Sequence, residues 1–298
     1  MDELDVKILS LLSRNSRLSN ESIAEVVGLT GNGVAKRIEG MRRAGILESF
    51  LTFPNFSSMG LSVVLSYFRP KRSRVSPEVP NFPFLYFSVN SLDGALFLGT
   101  LTRTPSEAEE QVEQLRRALG DYELYRYFYS NPRAEVKLTP IQITLLLSLI
   151  DEPRARIASL ARRIGVKTRR LNRVLERMVS QGLVRFSCLL QLNRISGCIP
   201  YYIFVNLERG EEMAEILNSI SPVIWLVPFE SKRMIAAVCR RNFAEVERDV
   251  RSVESFTSLE EYMVMFPGET RVNQSAVKES ISRSNAELED RERRDLLT

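Results

Sequence analysis

The chain has 298 residues, 44% of them hydrophobic and 26% charged, with a formal net charge of +4. That is the composition of a soluble globular protein long enough for two or more separately cored domains. It has no histidine, and its three cysteines lack CxxC spacing, so no metal site, catalytic group or cofactor is expected and the chain reads as a non-enzyme.

The opening Met1-Asp2-Glu3 is acidic, with no basic segment before an apolar run, and predicts no secretory signal. No stretch approaches the roughly 18 apolar residues that would span a bilayer. A cytoplasmic protein without a membrane partner is expected. Cys188, Cys198 and Cys239 read as reduced, small core residues.

In chain order, the first predicted elements are three short helices and a strand. Leu4, Ile8, Leu11 and Leu12 fall at helical spacing. Ser19 is placed to cap a second helix, Asn20–Val27, with Ile23, Ala24 and Val27 inward. Gly28 ends it, and Thr30 caps a third helix whose apolar stripe is Val34, Ile38 and Met41, stopped at Ala44-Gly45. Ile46–Thr52 reads as an extended wing. This order predicts a winged helix-turn-helix over residues 1–53.

The hydrophobic period then changes. Leu61–Phe68, Phe84–Val89 and Leu96–Leu101 read as strands bounded by Gly, Pro and Asn. Pro70–Pro83, with four prolines and the cations Lys71, Arg72 and Arg74, reads as a loop. Pro105–Leu119 is amphipathic, with Ala108, Val112, Leu115 and Leu119 inward. Tyr122–Tyr129 closes the unit at 58–133 as an aromatic strand, its rings assigned to core or subunit packing.

After Lys137 the first pattern returns. With Leu4–Leu47 set against Ile141–Val184 and no gap, Ile8 falls on Leu145, Leu9 on Leu146 and Leu12 on Leu149. Ile23-Ala24 falls on Leu160-Ala161, Gly28 on Gly165, and Val34, Ile38 and Met41 on Leu171, Leu175 and Met178. A whole module is duplicated, which places a second winged helix-turn-helix at 138–190. The sheet unit also returns, at 198–268. Pro200–Leu207, Val223–Phe229, Met234–Cys239 and Leu259–Phe266 read as strands, with helices at Glu211–Ile220 and Phe243–Val253. That is the β-α-β-β-α-β order of a ferredoxin-like unit; the Pro-rich loop replaces its first helix in the earlier copy. Residues 273–298 form a charged tail, expected as an exposed helix or disorder outside any core. The predicted fold class is α+β, two winged helix-turn-helix domains alternating with two ferredoxin-like βαββαβ domains.

A recognition helix turns a polar face to the major groove while its apolar stripe packs inward. Opposite the stripe in the first copy lie Asn32, Lys36, Glu39 and Arg43, flanked by Gly33 and Arg37; in the second lie Arg169, Arg173, Glu176 and Ser180, flanked by Arg170 and Arg177. Arg162 and Arg163 on the preceding helix and Lys167 at the turn add to the second face. From Leu138 to Phe186, ten basic residues face three acidic ones, a balance of +7; from Leu4 to Thr52, seven face five. Such local excess is the footprint of phosphate binding. Double-stranded DNA is therefore the expected partner. Its contacts are Lys167, Arg162, Arg163, Arg169, Arg170, Arg173 and Arg177, with Asn32, Lys36 and Arg37 as the weaker set.

The segment LDVKILSLLSRNSRLSNESIAEVVGLTGNGVAKRIEGMRRAGIL resembles the N-terminal domain of the leucine-responsive/asparagine (Lrp/AsnC) regulators. The match lies in the Leu-Asp opening, Ile8-Leu9, Leu18-Ser19, Ile23-Ala24, Val27-Gly28-Leu29 and Gly45-Ile46. The resemblance implies a transcription regulator in which the βαββαβ units serve as effector and dimerisation domains. It also implies a small-molecule effector and either a homo-oligomer or an intramolecular pseudo-dimer. Two further readings stay open. Fused proteins of this type that decarboxylate siroheme share the two-copy layout, although they are expected to use histidine at the tetrapyrrole site. The other is a winged-helix factor that binds protein or RNA.

Overall fold

The computed structural model describes residues 1–72, 79–130, 136–229 and 232–295. The first repeat contains α1 (Glu3–Arg14), α2 (Asn20–Val27), α3 (Gly31–Arg43) and β1 (Leu47–Pro54). Its sheet strands are β2 (Ser62–Pro70), β3 (Leu85–Ser91), β4 (Leu96–Thr102) and β5 (Tyr122–Tyr129), with α4 (Pro105–Ala118) before the last. The second repeat contains α5 (Pro140–Asp151), α6 (Ile157–Ile164), α7 (Thr168–Ser180) and β6 (Val184–Leu190). Next come β7 (Ile199–Leu207), α8 (Met213–Ser219), β8 (Val223–Phe229), β9 (Arg233–Arg240), α9 (Phe243–Glu254) and β10 (Leu259–Met265). The chain continues with β11 (Pro267–Val272) and α10 (Gln274–Asp295). Part of the Pro-rich loop, residues 73–78, lies outside the described residues.

The four-stranded sheet and the β2–β5 part of the five-stranded sheet, which adds β11 beside β3, share one topology. Numbered within each repeat, the strands run fourth-first-third-second, as β10-β7-β9-β8 and as β5-β2-β4-β3. Among the described residues no helix lies between β2 and β3, and β2 pairs antiparallel with both β4 and β5.

The chain forms two compact units that cut across the repeats. One unit holds Met1–Ser49, Asn90–Asp93 and Ser187–Thr270, so the first helix-turn-helix shares a unit with the second sheet. Within it, α1 lies on β8, and the Ser10 hydroxyl donates to the Val223 carbonyl at 2.8 Å. The helices start and stop where local chemistry dictates. Asp2 and Asp5 form a capping box on α1, the Ser19 hydroxyl accepts from Ser22 N–H, and the Thr30 hydroxyl accepts from Gly33 N–H. Gly28 closes α2 at φ 72, a left-handed conformation that suits a residue without Cβ. Ile8, Leu9, Leu12, Ile23 and Val34 are fully buried, as the 3.6-residue period requires. Under the sheet, Tyr201, Ile203, Val205, Ile216, Ile220 and Val253 make the core beneath α8 and α9.

The other unit holds Phe50–Val89, Gly94–Phe186 and Arg271–Thr298, pairing the first sheet with the second helix-turn-helix. Val112 and Leu115 of α4 pack beneath a sheet that buries Phe68, Leu96 and Leu98. The aromatic strand β5 divides: Tyr122 and Phe128 are buried, whereas Tyr125 and Tyr127 stay exposed, Tyr125 carrying the Arg69 guanidinium 3.8 Å from its ring centre.

The tail departs from expectation. Rather than an exposed appendage, the first turns of α10 bury Ala276, Val277 and Ile281, the last two in one core with Leu145, Leu146, Leu160, Leu171 and Met178. Lys278 anchors the same turn on Asp151 at 2.6 Å. The apolar residues are few but spaced at i and i+4 (Val277, Ile281), so one narrow stripe suffices to dock a helix that is otherwise polar.

Candidate nucleic-acid interface

On α3, Asn32 and Lys36 are exposed, whereas Arg37 is only partly so. Its Nη1 donates to Asp2 Oδ2 and to Asp5 Oδ1, each at 2.8 Å. The same two carboxylates cap α1, so the cation ties the third helix to the start of the first. The Asp5 N–H, then Arg37, hold the Asp2 carboxyl below its ordinary range, and the two carboxylates raise Arg37 in turn. Arg43 lies 3.8 Å from Glu39.

On α7 the arrangement differs. Lys167, Arg169, Arg170, Arg173 and Arg177 are exposed, as is Arg162 on α6. Among the described residues none of these six takes part in an ion pair or a side-chain hydrogen bond. Arg163 is exposed and paired with Glu152. Arg154 lies 4.7 Å over the Phe50 ring, and Arg185 lies 5.9 Å over that of Phe53. The residue at the position of Arg37 is Val174, which packs against the core.

The helix caps have changed as well. Ser19 and Thr30 of the first copy become Arg156 and Lys167 in the second, and neither provides a side-chain cap. The first-turn amides of α6 and α7 thus lack the hydroxyl acceptor that their counterparts have. They leave the positive ends of two helix dipoles beside free cations. Phosphate oxygens suit such a surface, and backbone amides at helix starts are regular phosphate contacts on DNA.

The sequence-predicted contacts therefore divide in space. Lys167, Arg162, Arg163, Arg169, Arg170, Arg173 and Arg177 share the surface of α6 and α7. Asn32 and Lys36 stand on α3, and Arg37 belongs to an internal ion-pair cluster. Sequence reasoning missed that cluster, whose signal was the Asp-x-x-Asp at the start of α1. Among the described residues no group of three or more His, Cys, Asp or Glu side chains is gathered to hold a metal, and no helix is long and apolar enough to cross a membrane.

Residues 1–42 match the AsnC-type helix-turn-helix domain. An uncharacterised HTH-type transcriptional regulator of Pyrococcus furiosus is 34% identical over 59 residues, which is 20% of this chain and 40% of that protein. The HTH-type transcriptional regulator LrpB of Bacillus subtilis is 34% identical over 62 residues, 21% of this chain and 42% of its own length. The matched part thus spans about two fifths of these curated relatives. Among solved structures, the siroheme decarboxylase NirDL aligns over 96% of this chain and 100% of its own, at 14% identity and a TM-score of 0.49. The N-terminal module is thus an AsnC-type helix-turn-helix domain, and its apolar pattern recurs at residues 141–184.

Proposed function

We propose that this chain is a DNA-binding transcription regulator of the Lrp/AsnC type in which the second helix-turn-helix supplies the stronger grip. Arg169 and Arg173 face the major groove from α7, flanked by Arg170 and Arg177. Lys167, Arg162 and Arg163 lie against phosphates. On α3, Asn32 and Lys36 make a lesser contact, while Arg37 stays with Asp2 and Asp5. A small-molecule effector, and pairing of the sheet units within one chain or between two, belong to the same reading.

The observation that carries it is the row of exposed arginines on α7 without an acidic partner, set against an α3 whose Arg37 is internally neutralised. Free cations on a groove-sized helix displace counterions from DNA, and each arginine on a base edge contributes about 1–3 kcal/mol of discrimination.

The test begins by selecting bound fragments from genomic DNA and measuring affinity for a recovered site by anisotropy. Arg169→Ala with Arg173→Ala is expected to weaken binding far more than Asn32→Ala with Lys36→Ala. Equal losses overturn the asymmetry. A failure to enrich any fragment overturns the DNA reading itself.

A further inference from the structure

The unit that contains the second sheet carries two cysteines at neighbouring strands. Cys198 lies in the bend that leads into β7, and Cys239 is the penultimate residue of β9. In the antiparallel ladder between these strands, Pro200 stands opposite Cys239. Side chains alternate between the faces of a strand, so Cys198, two residues before Pro200, falls on the side that Cys239 occupies. Gly197, at φ 84, turns the chain immediately ahead of it. The register sets the two cysteines as diagonal neighbours at adjacent strands. Cys198 is half-buried, whereas Cys239 is buried.

The third cysteine provides an internal contrast. Cys188 is buried, its Sγ 3.3 Å from the Ser13 hydroxyl, and burial pushes its thiol up to about 12. The neighbouring Cys239 side chain acts in the opposite sense on Cys198 and holds that thiol down at about 7. A thiolate, not a thiol, is the nucleophile toward oxidants, so the reactive sulfur is the less buried one and its neighbour is placed to resolve it.

We propose that Cys198 and Cys239 are a redox-modification site that closes to a reversible intrachain disulfide on exposure to a hydroperoxide. The Cys198 thiolate attacks one peroxide oxygen, the O–O bond breaks, and the departing hydroxide takes up a proton as water. Cys198 is left as a sulfenic acid. The Cys239 sulfur then attacks the Cys198 sulfur, the S–O bond breaks, and the hydroxyl leaves as a second water with the Cys239 proton. Two thiols and one peroxide become one disulfide and two waters, and a dithiol reductant reverses the step. The disulfide joins the entry to β7 to the end of β9, at the edge of the core beneath α8 and α9. This inference stands independently of the DNA reading.

The experiment uses the full chain, first reduced, then exposed to hydrogen peroxide, alkylated and mapped by mass spectrometry without reduction. The expected result is a peptide pair cross-linked through Cys198 and Cys239, the loss of two hydrogens from the intact chain, and one alkylatable thiol, Cys188. Dithiothreitol should restore all three thiols. Cys198→Ser and Cys239→Ala should each abolish the cross-link while Cys188→Ala leaves it intact, with circular dichroism confirming that the reduced variants keep the fold. Three thiols remaining after peroxide would overturn the proposal. So would a cross-link between two chains, or Cys198 advancing to a sulfinic acid with no cross-link formed.

Discussion

A single arginine separates α3 from α7 in kind. Arg37 is one of the residues the sequence marks for DNA, yet its guanidinium bridges Asp2 and Asp5. Arg37→Ala should therefore lower stability, by no more than about 1 kcal/mol for a half-exposed ion pair, and leave DNA affinity unchanged; anisotropy alongside thermal melting separates the two effects. The sign of the pH dependence follows from Asp2, whose carboxyl is held below its ordinary value by the Asp5 amide and then by Arg37. The unfolded chain binds that proton more tightly, so the contribution is fully present above about pH 4 and is lost as pH falls through the lower folded value. Asp2→Asn, which keeps a capping side chain, should melt below wild type at neutral pH, and the gap should close on acidification. A gap independent of pH would assign the loss to packing instead. In the same unit, Asp249 is buried against the Arg240 guanidinium at 2.6 Å and accepts the Tyr201 hydroxyl. Breaking such a pair leaves a buried charge, so Asp249→Ala should cost about 3–5 kcal/mol in denaturant unfolding, far more than the loss of Arg37.

At the scale of the element, the second helix-turn-helix has exchanged hydroxyl caps for cations. Lys167→Thr restores at α7 the cap that Thr30 gives α3. It should stabilise the protein by about 0.5–2 kcal/mol while weakening DNA binding, since the proposed phosphate contact is lost. A variant that gains stability and keeps its affinity would remove Lys167 from the interface. Most element boundaries were legible in the sequence because caps, left-handed glycines and apolar stripes are local signals: Ser19, Gly28 and Thr30 each act where their chemistry places them. Two features were not legible, for a common reason. The clamp on Arg37 is made by residues 32 and 35 positions earlier, and α10 docks through two aliphatic side chains in a segment dominated by charge. Each depends on tertiary contact rather than on local propensity. Ile281→Ala tests the second feature, with an expected loss of about 2–5 kcal/mol for a buried aliphatic side chain.

Across the whole molecule, repeat and compact unit do not coincide. The sequence presents two copies in tandem. Yet each helix-turn-helix shares a unit with the sheet of the other repeat. Local patterns cannot reveal this exchange, because each copy carries the same apolar faces and either pairing satisfies them. The exchange has a consequence that tandem folding does not share. A fragment of residues 1–137 keeps α1 but loses β8, including the Val223 carbonyl that holds Ser10. A fragment of residues 138–298 keeps α5 and α10 but loses Met59 and Leu61, which complete their core. Each fragment alone should therefore lack cooperative unfolding and expose apolar surface, while the two expressed together should associate and recover the melting transition of the intact chain. Two fragments that each melt cooperatively by calorimetry, with no gain on mixing, would mean that the copies fold independently.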